Sequence, residues 1–206
     1  MERTYDCFNK QAVFRTAEAL GIQTVWLTEP VETKNQDKAK QVQKSTDRFL
    51  TIRTFLSTRD CIDALLKDGR EIWATDLSPT AVSLEDKSLT LPPKLAIVFG
   101  REAEGCTKEM LSAAHKRVYL PQHGFAESLN VSVACALVIN TLLSMCPESR
   151  GDLTIEEKNQ LRAHWQIILE EENRKSKKRS ERETDPINDA SESPTKKPKN
   201  LEDPTD

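Results

Sequence analysis

The chain has 206 residues and a formal net charge of −3, with 37% hydrophobic and 31% charged side chains. That length favours one globular domain with a small extension over two full domains. The slightly acidic balance excludes a polycation that holds nucleic acid by overall charge. Any such binding needs a local basic patch, since phosphate attraction is screened within about 8–10 Å.

Apolar residues at Ala12, Val13, Ala17 and Leu20 have helical spacing, and Gly21 follows as a stop signal. Residues 24–28 read as a short buried strand, and the polar stretch 32–45 as an exposed loop. A strand at 49–54 leads to a helix through Cys61, Ile62, Ala64, Leu65 and Leu66 that stops before Gly69. Further strands are predicted at 71–75, 95–99 and 117–120, with a helix at 108–114. Residues 129–145 are apolar nearly all round, which predicts a helix buried against the sheet or a second subunit, with Ser128 as N-cap. Residues 154–174 have helical spacing, and Thr154 with Glu157 makes a capping box. Strands alternating with helices predict an α/β fold: a mainly parallel sheet with helices on both faces. The domain assignment is 1–150 for this fold, 151–174 for a helical extension and 175–206 for a disordered charged tail.

Five cysteines, Cys7, Cys61, Cys106, Cys135 and Cys146, are odd in number and lack C-x-x-C spacing, which predicts reduced thiols in an intracellular protein. His115, His123 and His164 form no ligand pair, so no metal is expected. The longest apolar run is too short for a membrane span, and the first six residues lack the apolar core of a signal peptide. The expectation is a soluble cytoplasmic protein without a membrane partner, the nucleus being left open by the basic tail.

Two segments carry chemistry. In Gly100-Arg101-Glu102-Ala103-Glu104-Gly105-Cys106-Thr107 a strand runs into a G-x-x-x-x-G loop and then a helix. A phosphate-binding loop needs lysine where Cys106 stands, and Glu102 and Glu104 repel a triphosphate, which argues against a nucleotide hydrolase. The loop is either a plain tight turn or a site for a neutral or positive ligand, such as a sulfonium cofactor. Residues 118–134 then lead from a strand through Pro121 and Gly124 into a small-residue helix headed by Ser128-Leu129-Asn130. Polar groups there either cap the helix or meet a ligand beside free backbone N–H groups.

These two segments, with Asn9-Lys10-Gln11-Ala12-Val13-Phe14-Arg15-Thr16-Ala17-Glu18-Ala19-Leu20-Gly21, resemble a known family in order and spacing. The first is similar to N-x-x-A-x-x-R-T-A-[DE]-A-x-G, the loop to F-G-x-E-x-x-G, and residues 120–134 to [IL]-P-x-x-G-x-x-x-S-L-N-V-S-V-A. All three are motifs of the SpoU branch of the SPOUT-class RNA ribose 2′-O-methyltransferases, and within it of the TrmH group. The resemblance spans about residues 5–170. It implies a C-terminal deep trefoil knot, S-adenosyl-L-methionine as cofactor, RNA as substrate and a homodimer. It further implies that Thr75, Gly100, Leu120 and Leu129 line the cofactor, that Asn9, Glu102, Ser128 and Asn130 hold the pocket together, and that Arg15 is the central catalytic residue, acting beside a pocket completed by the partner subunit.

A sulfonium already carries a good leaving group, so such an enzyme chiefly aligns the hydroxyl oxygen with the methyl and stabilises charge on it. A guanidinium, with a pKa above about 12, is a poor proton acceptor. Arg15 is therefore expected to clamp an RNA phosphate and orient the hydroxyl. The helix at 154–174 resembles the one that the TrmH group adds to the knot, which makes tRNA, at a D-loop guanosine, the expected substrate. Ribosomal RNA methylation and a non-catalytic RNA-binding relative are the alternatives. The stretch 174–182, with six basic residues and one acidic, is an RNA contact, a nuclear address or solvated tail. Family members carry a full apolar strand before the Asn9 motif, whereas residues 1–5 make a poor central strand here, so a sheet short of one strand is expected, whether from truncation or by tolerance.

Overall fold

The computed structural model describes residues 1–4, 6–29, 47–151 and 153–184. The expected loop at 32–45 and residues 185–206 lie outside them. Two units divide the chain, Met1–Asn159 and Gln160–Asp206.

In the first unit, α1 (Cys7–Ala19) starts at Asp6, whose carboxylate accepts from the backbone N–H groups of Phe8 and Asn9 at 2.7 and 3.0 Å. Gly21, at φ 81°, turns the chain into β1 (Thr24–Thr28). A 3₁₀ turn (Asp47–Phe49) precedes β2 (Thr51–Phe55). Then come α2 (Thr58–Lys67), capped by Ser57, β3 (Glu71–Thr75), β4 (Val82–Ser83) and β5 (Leu95–Val98). The unit continues through α3 (Lys108–Ala113), β6 (Lys116–Tyr119) and α4 (Val131–Met145).

All strand pairs are parallel, in a two-stranded sheet β1-β2 and a four-stranded sheet in the order β4-β6-β3-β5. Residues 1–3 sit between the two, where the sequence predicts a missing strand. The N–H of Glu2 donates to the Phe99 carbonyl at 2.8 Å, while Arg3 N–H donates to Thr28 O and Thr28 N–H to Met1 O, both at 3.0 Å. One parallel bridge, Glu2 with Thr28, stands where a full strand would run. Backbone groups make these bonds whatever the side chains, so low strand propensity does not prevent them.

The Glu2 side chain is 1% exposed. Its Oε1 accepts from Thr58 Oγ1 at 2.7 Å and Thr107 Oγ1 at 2.5 Å, and its Oε2 accepts from Thr107 N–H at 2.8 Å. A buried carboxylate is tolerated only with such donors. It links the start of α2 to Thr107, the N-cap of α3.

Side chains of β3 alternate between two cores. Trp73 joins Val118, Val131, Cys135, Val138 and Ile139 under α4, whereas Ile72 and Ala74 join Phe55, Ile62, Leu65 and Met110 under α2 and α3. Helices thus cover both faces, and β3 reads as a continuous apolar run because it is buried on both sides. All five cysteines are free, and Cys61, Cys106 and Cys135 are buried. Burial pushes the Cys106 and Cys135 thiols up to about 12.

Two sequence expectations are corrected. The N-cap of α4 is Asn130, whose Oδ1 accepts from Ser132 N–H at 2.9 Å; Ser128 lies two residues ahead of it and is exposed. The extension, α5 (Ile155–Thr184), runs ten residues past the predicted end at Arg174. Glu170 pairs with Arg174 at 3.4 Å and Glu171 with Lys175 at 3.9 Å, which carries the helix over that boundary. The capping box at its start forms as expected: Glu157 accepts from Thr154 N–H and Oγ1 at 2.8 and 2.7 Å. Among the described residues no helix is long and apolar enough to cross a membrane.

Candidate active site

Because β3 pairs with β5 on one side and β6 on the other, the carboxyl ends of the three strands emerge side by side. Ligands of open parallel sheets bind at such edges. Thr75 ends β3, and Gly100 and Leu120 follow β5 and β6 closely.

The loop after β5 closes on itself. Arg101 N–H donates to Gly105 O at 3.0 Å and Gly105 N–H to Arg101 O at 2.9 Å, with Gly105 at φ 67°. A Cβ at Gly100 would lie 2.0 Å from the Gly105 carbonyl carbon, so only glycine fits. Thr75 Oγ1 ties this loop's base to β3 by donating to Val98 O at 3.0 Å. The loop is thus a closed tight turn on which Glu102 is exposed.

Three motif residues then meet. Asn9 Nδ2 donates to Glu102 Oε1, and Asn130 Nδ2 donates to Asn9 Oδ1 at 3.0 Å. Asn130 Oδ1 also accepts from Ser132 Oγ at 2.6 Å. The chain Glu102–Asn9–Asn130–Ser132 pins the β5 loop to α1 and to the head of α4. Ser128 makes no hydrogen bond among the described residues and is not part of it. Arg15 stands on α1 six residues after Asn9, which places it about 9 Å along the helix and roughly 120° around it. It is exposed and makes no hydrogen bond or ion pair among the described residues. The single chain does not bring it to the other motif residues.

Between the β3–β4 and β6–α4 loops lies an open groove of about 420 Å³. One wall is Leu77, Ser78, Pro79 and Ala81 of the β3–β4 loop; the other includes Tyr119, Leu120, Gln122, Gly124 and Glu127. Of the four expected cofactor residues, Leu120 lines it, whereas Thr75, Gly100 and Leu129 do not. Its lining holds one carboxylate and no cation, which suits a neutral or positive ligand better than a phosphate.

Sequence reasoning missed what fixes the first wall. Asp76 Oδ2 accepts from Ser78 Oγ at 2.6 Å and pairs with Arg117 Nη1 at 3.5 Å, while Arg117 Nη2 donates to Leu111 O at 3.3 Å. The available signal was an Asp followed two residues later by Ser just after a strand, a turn signature.

The chain matches the SpoU rRNA Methylase family over residues 1–140. It belongs to that family. All three motif segments of this SpoU chain lie within the matched region, and α5 lies beyond it. The chain is 34% identical over 158 residues to the tRNA (guanosine(18)-2′-O)-methyltransferase of Borreliella burgdorferi, covering 76% of this chain and 70% of the relative. To the enzyme of the same name from Escherichia coli K12 it is 32% identical over 142 residues, covering 68% of this chain and 59% of the relative. Among solved structures, the Aquifex aeolicus TrmH/SpoU tRNA modifying enzyme superposes with a TM-score of 0.66 at 25% identity, covering 79% of this chain and 84% of that one.

Proposed function

We propose that this SpoU chain transfers the methyl group of S-adenosyl-L-methionine to a ribose 2′-hydroxyl of RNA, and that the substrate is a D-loop guanosine, at position 18, of tRNA. The observation that carries this reading is the hydrogen-bonded chain Glu102–Asn9–Asn130, in which residues from three motif segments converge at the carboxyl edge of the central strands. The names of the relatives support the nucleotide.

The groove fits the cofactor. Its volume of about 420 Å³ falls in the usual 300–1,000 Å³ range of small-molecule sites. Leu120 and Gly124 are among the lining residues, and Glu127 is the lining's one charge, opposite in sign to a sulfonium. When bound, the cofactor supplies a methyl on a positive sulfur that departs without acid assistance. The remaining tasks fall to the protein. Thr75, Gly100 and Leu129 are assigned with Leu120 to the cofactor, and the β3–β4 and β6–α4 loops hold the pocket in shape. Glu102, Asn9 and Asn130 lock the loops together, and Ser128, exposed two residues ahead of Asn130, is a polar group for the bound ligands to meet. Arg15 clamps an RNA phosphate and orients the 2′-hydroxyl, a role that suits a permanent cation with several donors.

Two further features belong to this reading. The segment that ends in α4 threads through the fold as a trefoil knot, against the usual rule for connections. The protein acts as a homodimer, because Arg15 stands apart from its own chain's motif residues and needs a partner's pocket. Exposed Phe8 on α1 and Val133 and Leu137 on α4, two helices that pack together, support such a contact. The setting is cytoplasmic, where tRNA is abundant.

The test is incubation with isotope-labelled cofactor and total RNA, then mapping of the methylated nucleotide. Label in ribosomal RNA alone would replace the tRNA assignment. The isolation of Arg15 within one chain favours a second reading, a non-catalytic RNA-binding relative; calorimetric titration without cofactor heat would support it.

A further inference from the structure

Among the described residues, Phe8 and Phe125 are the aromatic side chains with most of their surface exposed. Phe8 belongs to the α1–α4 face assigned above to the partner subunit. Phe125 stands on the β6–α4 loop and is fully exposed. Its chain neighbours Gly124 and Ala126 line the groove, as does Glu127, whereas Phe125 does not. The ring therefore stands at the rim, outside the space assigned to the cofactor. A Cβ built on Gly124 would meet nothing within 4 Å, and Ala126 adds only a methyl group, so neither neighbour shields the ring. An apolar ring held in water gains by covering its flat face.

The reaction brings a flat partner to that rim. The acceptor hydroxyl sits on C2′ of the ribose and the base on C1′, the adjacent carbon. Wherever the hydroxyl is aligned with the methyl at the groove mouth, the base is held one carbon away. A base so placed has left its own stack in the RNA, and unstacked bases are taken up on aromatic side chains. The groove has a separate ring for the cofactor, Tyr119, which is among the lining residues. Phe125 is left for the base.

We infer that Phe125 is the platform on which the base of the methylated nucleotide stacks. The inference rests on the methyl-transfer reading above and adds the residue that holds the target base. Every base has a flat face, so this contact supplies affinity and alignment without choosing among bases.

The test compares steady-state methyl transfer by the full chain to two tRNA transcripts, one intact and one lacking the base, but not the ribose, at the methylated nucleotide. Phe125→Ala should raise KM for the intact tRNA about tenfold, the scale of one lost stack. Wild type should show the same loss on the abasic tRNA, and Phe125→Ala should lose nothing further there. Phe125→Trp should keep the wild-type KM, whereas Phe125→Leu, apolar but without a flat face, should behave as the alanine variant does. Melting temperature, calorimetric affinity for S-adenosyl-L-methionine and sedimentation should match wild type in all three variants. An unchanged KM in Phe125→Ala, beside a wild type that methylates the intact tRNA, overturns this inference alone. So do losses from the substitution and the missing base that add. Weaker cofactor binding would place the ring on the cofactor's adenine, and slower sedimentation would place it against a second subunit; either overturns the inference. A wild type that methylates no RNA overturns the methyl-transfer reading, and this inference with it.

Discussion

Asn130 at the head of α4 donates from Nδ2 to Oδ1 of Asn9 on α1 at 3.0 Å, across 121 positions of sequence. Each amide uses both its ends: Asn9 passes the contact on to Glu102, and Asn130 also caps its own helix through Ser132 N–H. Two side chains thus join a helix start, a helix N-terminus and a glycine loop. That junction fixes the glycine loop against both helices.

Asn130 should be the more costly of the two to remove. Asn130→Ala loses the α4 cap, worth about 1 kcal/mol, as well as the link to Asn9. Asn9→Ala loses only the link and should lower stability less. Urea unfolding of both single variants and the double should show non-additive losses, and methyl transfer should fall at least tenfold in each. Additive losses would mean that the bond does not couple the two motifs.

Arg15 is exposed and makes no hydrogen bond among the described residues, so Arg15→Lys and Arg15→Ala should leave the melting temperature within about a degree. Both should reduce turnover by a factor on the order of 100, because lysine keeps the charge but loses the planar donor fork. Near-normal turnover of Arg15→Lys in a steady-state assay would contradict the clamping role.

The loop after β5 should not accept a methyl group. With a Cβ at 2.0 Å from backbone carbon at Gly105, Gly100→Ala must displace the turn that holds Glu102. Overpacking of this kind costs about 1–3 kcal/mol, and thermal unfolding should show the loss. Cofactor affinity, measured by calorimetry, should weaken as well.

Asp76 should act on the cofactor rather than on stability. Asp76→Asn keeps the shape but weakens its hold on Ser78 Oγ and Arg117. The Michaelis constant for the cofactor should rise several-fold at nearly unchanged turnover. A fall in melting temperature without that rise would make the residue purely structural.

At high pH the buried thiols should erode stability. Cys106 and Cys135 have an ordinary value of 9.0 that burial raises to about 12 in the folded chain. The unfolded chain therefore releases these protons first. Stability is whole below pH 9 and declines as pH rises from 9 towards 12, by up to about 1.4 kcal/mol per pH unit for each thiol. Cys135→Ala should flatten the decline relative to wild type in denaturant titrations at successive pH values.

Much of this was legible in sequence. β3 and β5 read as strands from their short apolar runs, Ile72–Ala74 and Leu95–Val98, which are buried between helix layers, and the motif segments fall at the strand ends. Some of the contacts that were missed are short-range or indifferent to side-chain type, whereas Asp76 with Arg117 joins side chains 41 positions apart. β4 has two residues, too few for any period. Residues 1–3 join the sheet through backbone groups alone. Ser128 and Asn130 are equally good caps on paper, and only the geometry of the turn decides between them. Helix beyond Arg174 was hidden because low hydrophobicity was read as disorder, while Glu170 and Glu171 sit one turn ahead of the basic residues they pair with.

The central claim is methyl transfer to a ribose oxygen, and nucleoside analysis of tRNA after reaction with labelled S-adenosyl-L-methionine tests it most directly. The account predicts label in 2′-O-methylguanosine from the D-loop, lost with Arg15→Ala. Label on a base, or none in any RNA although the cofactor binds, would contradict it.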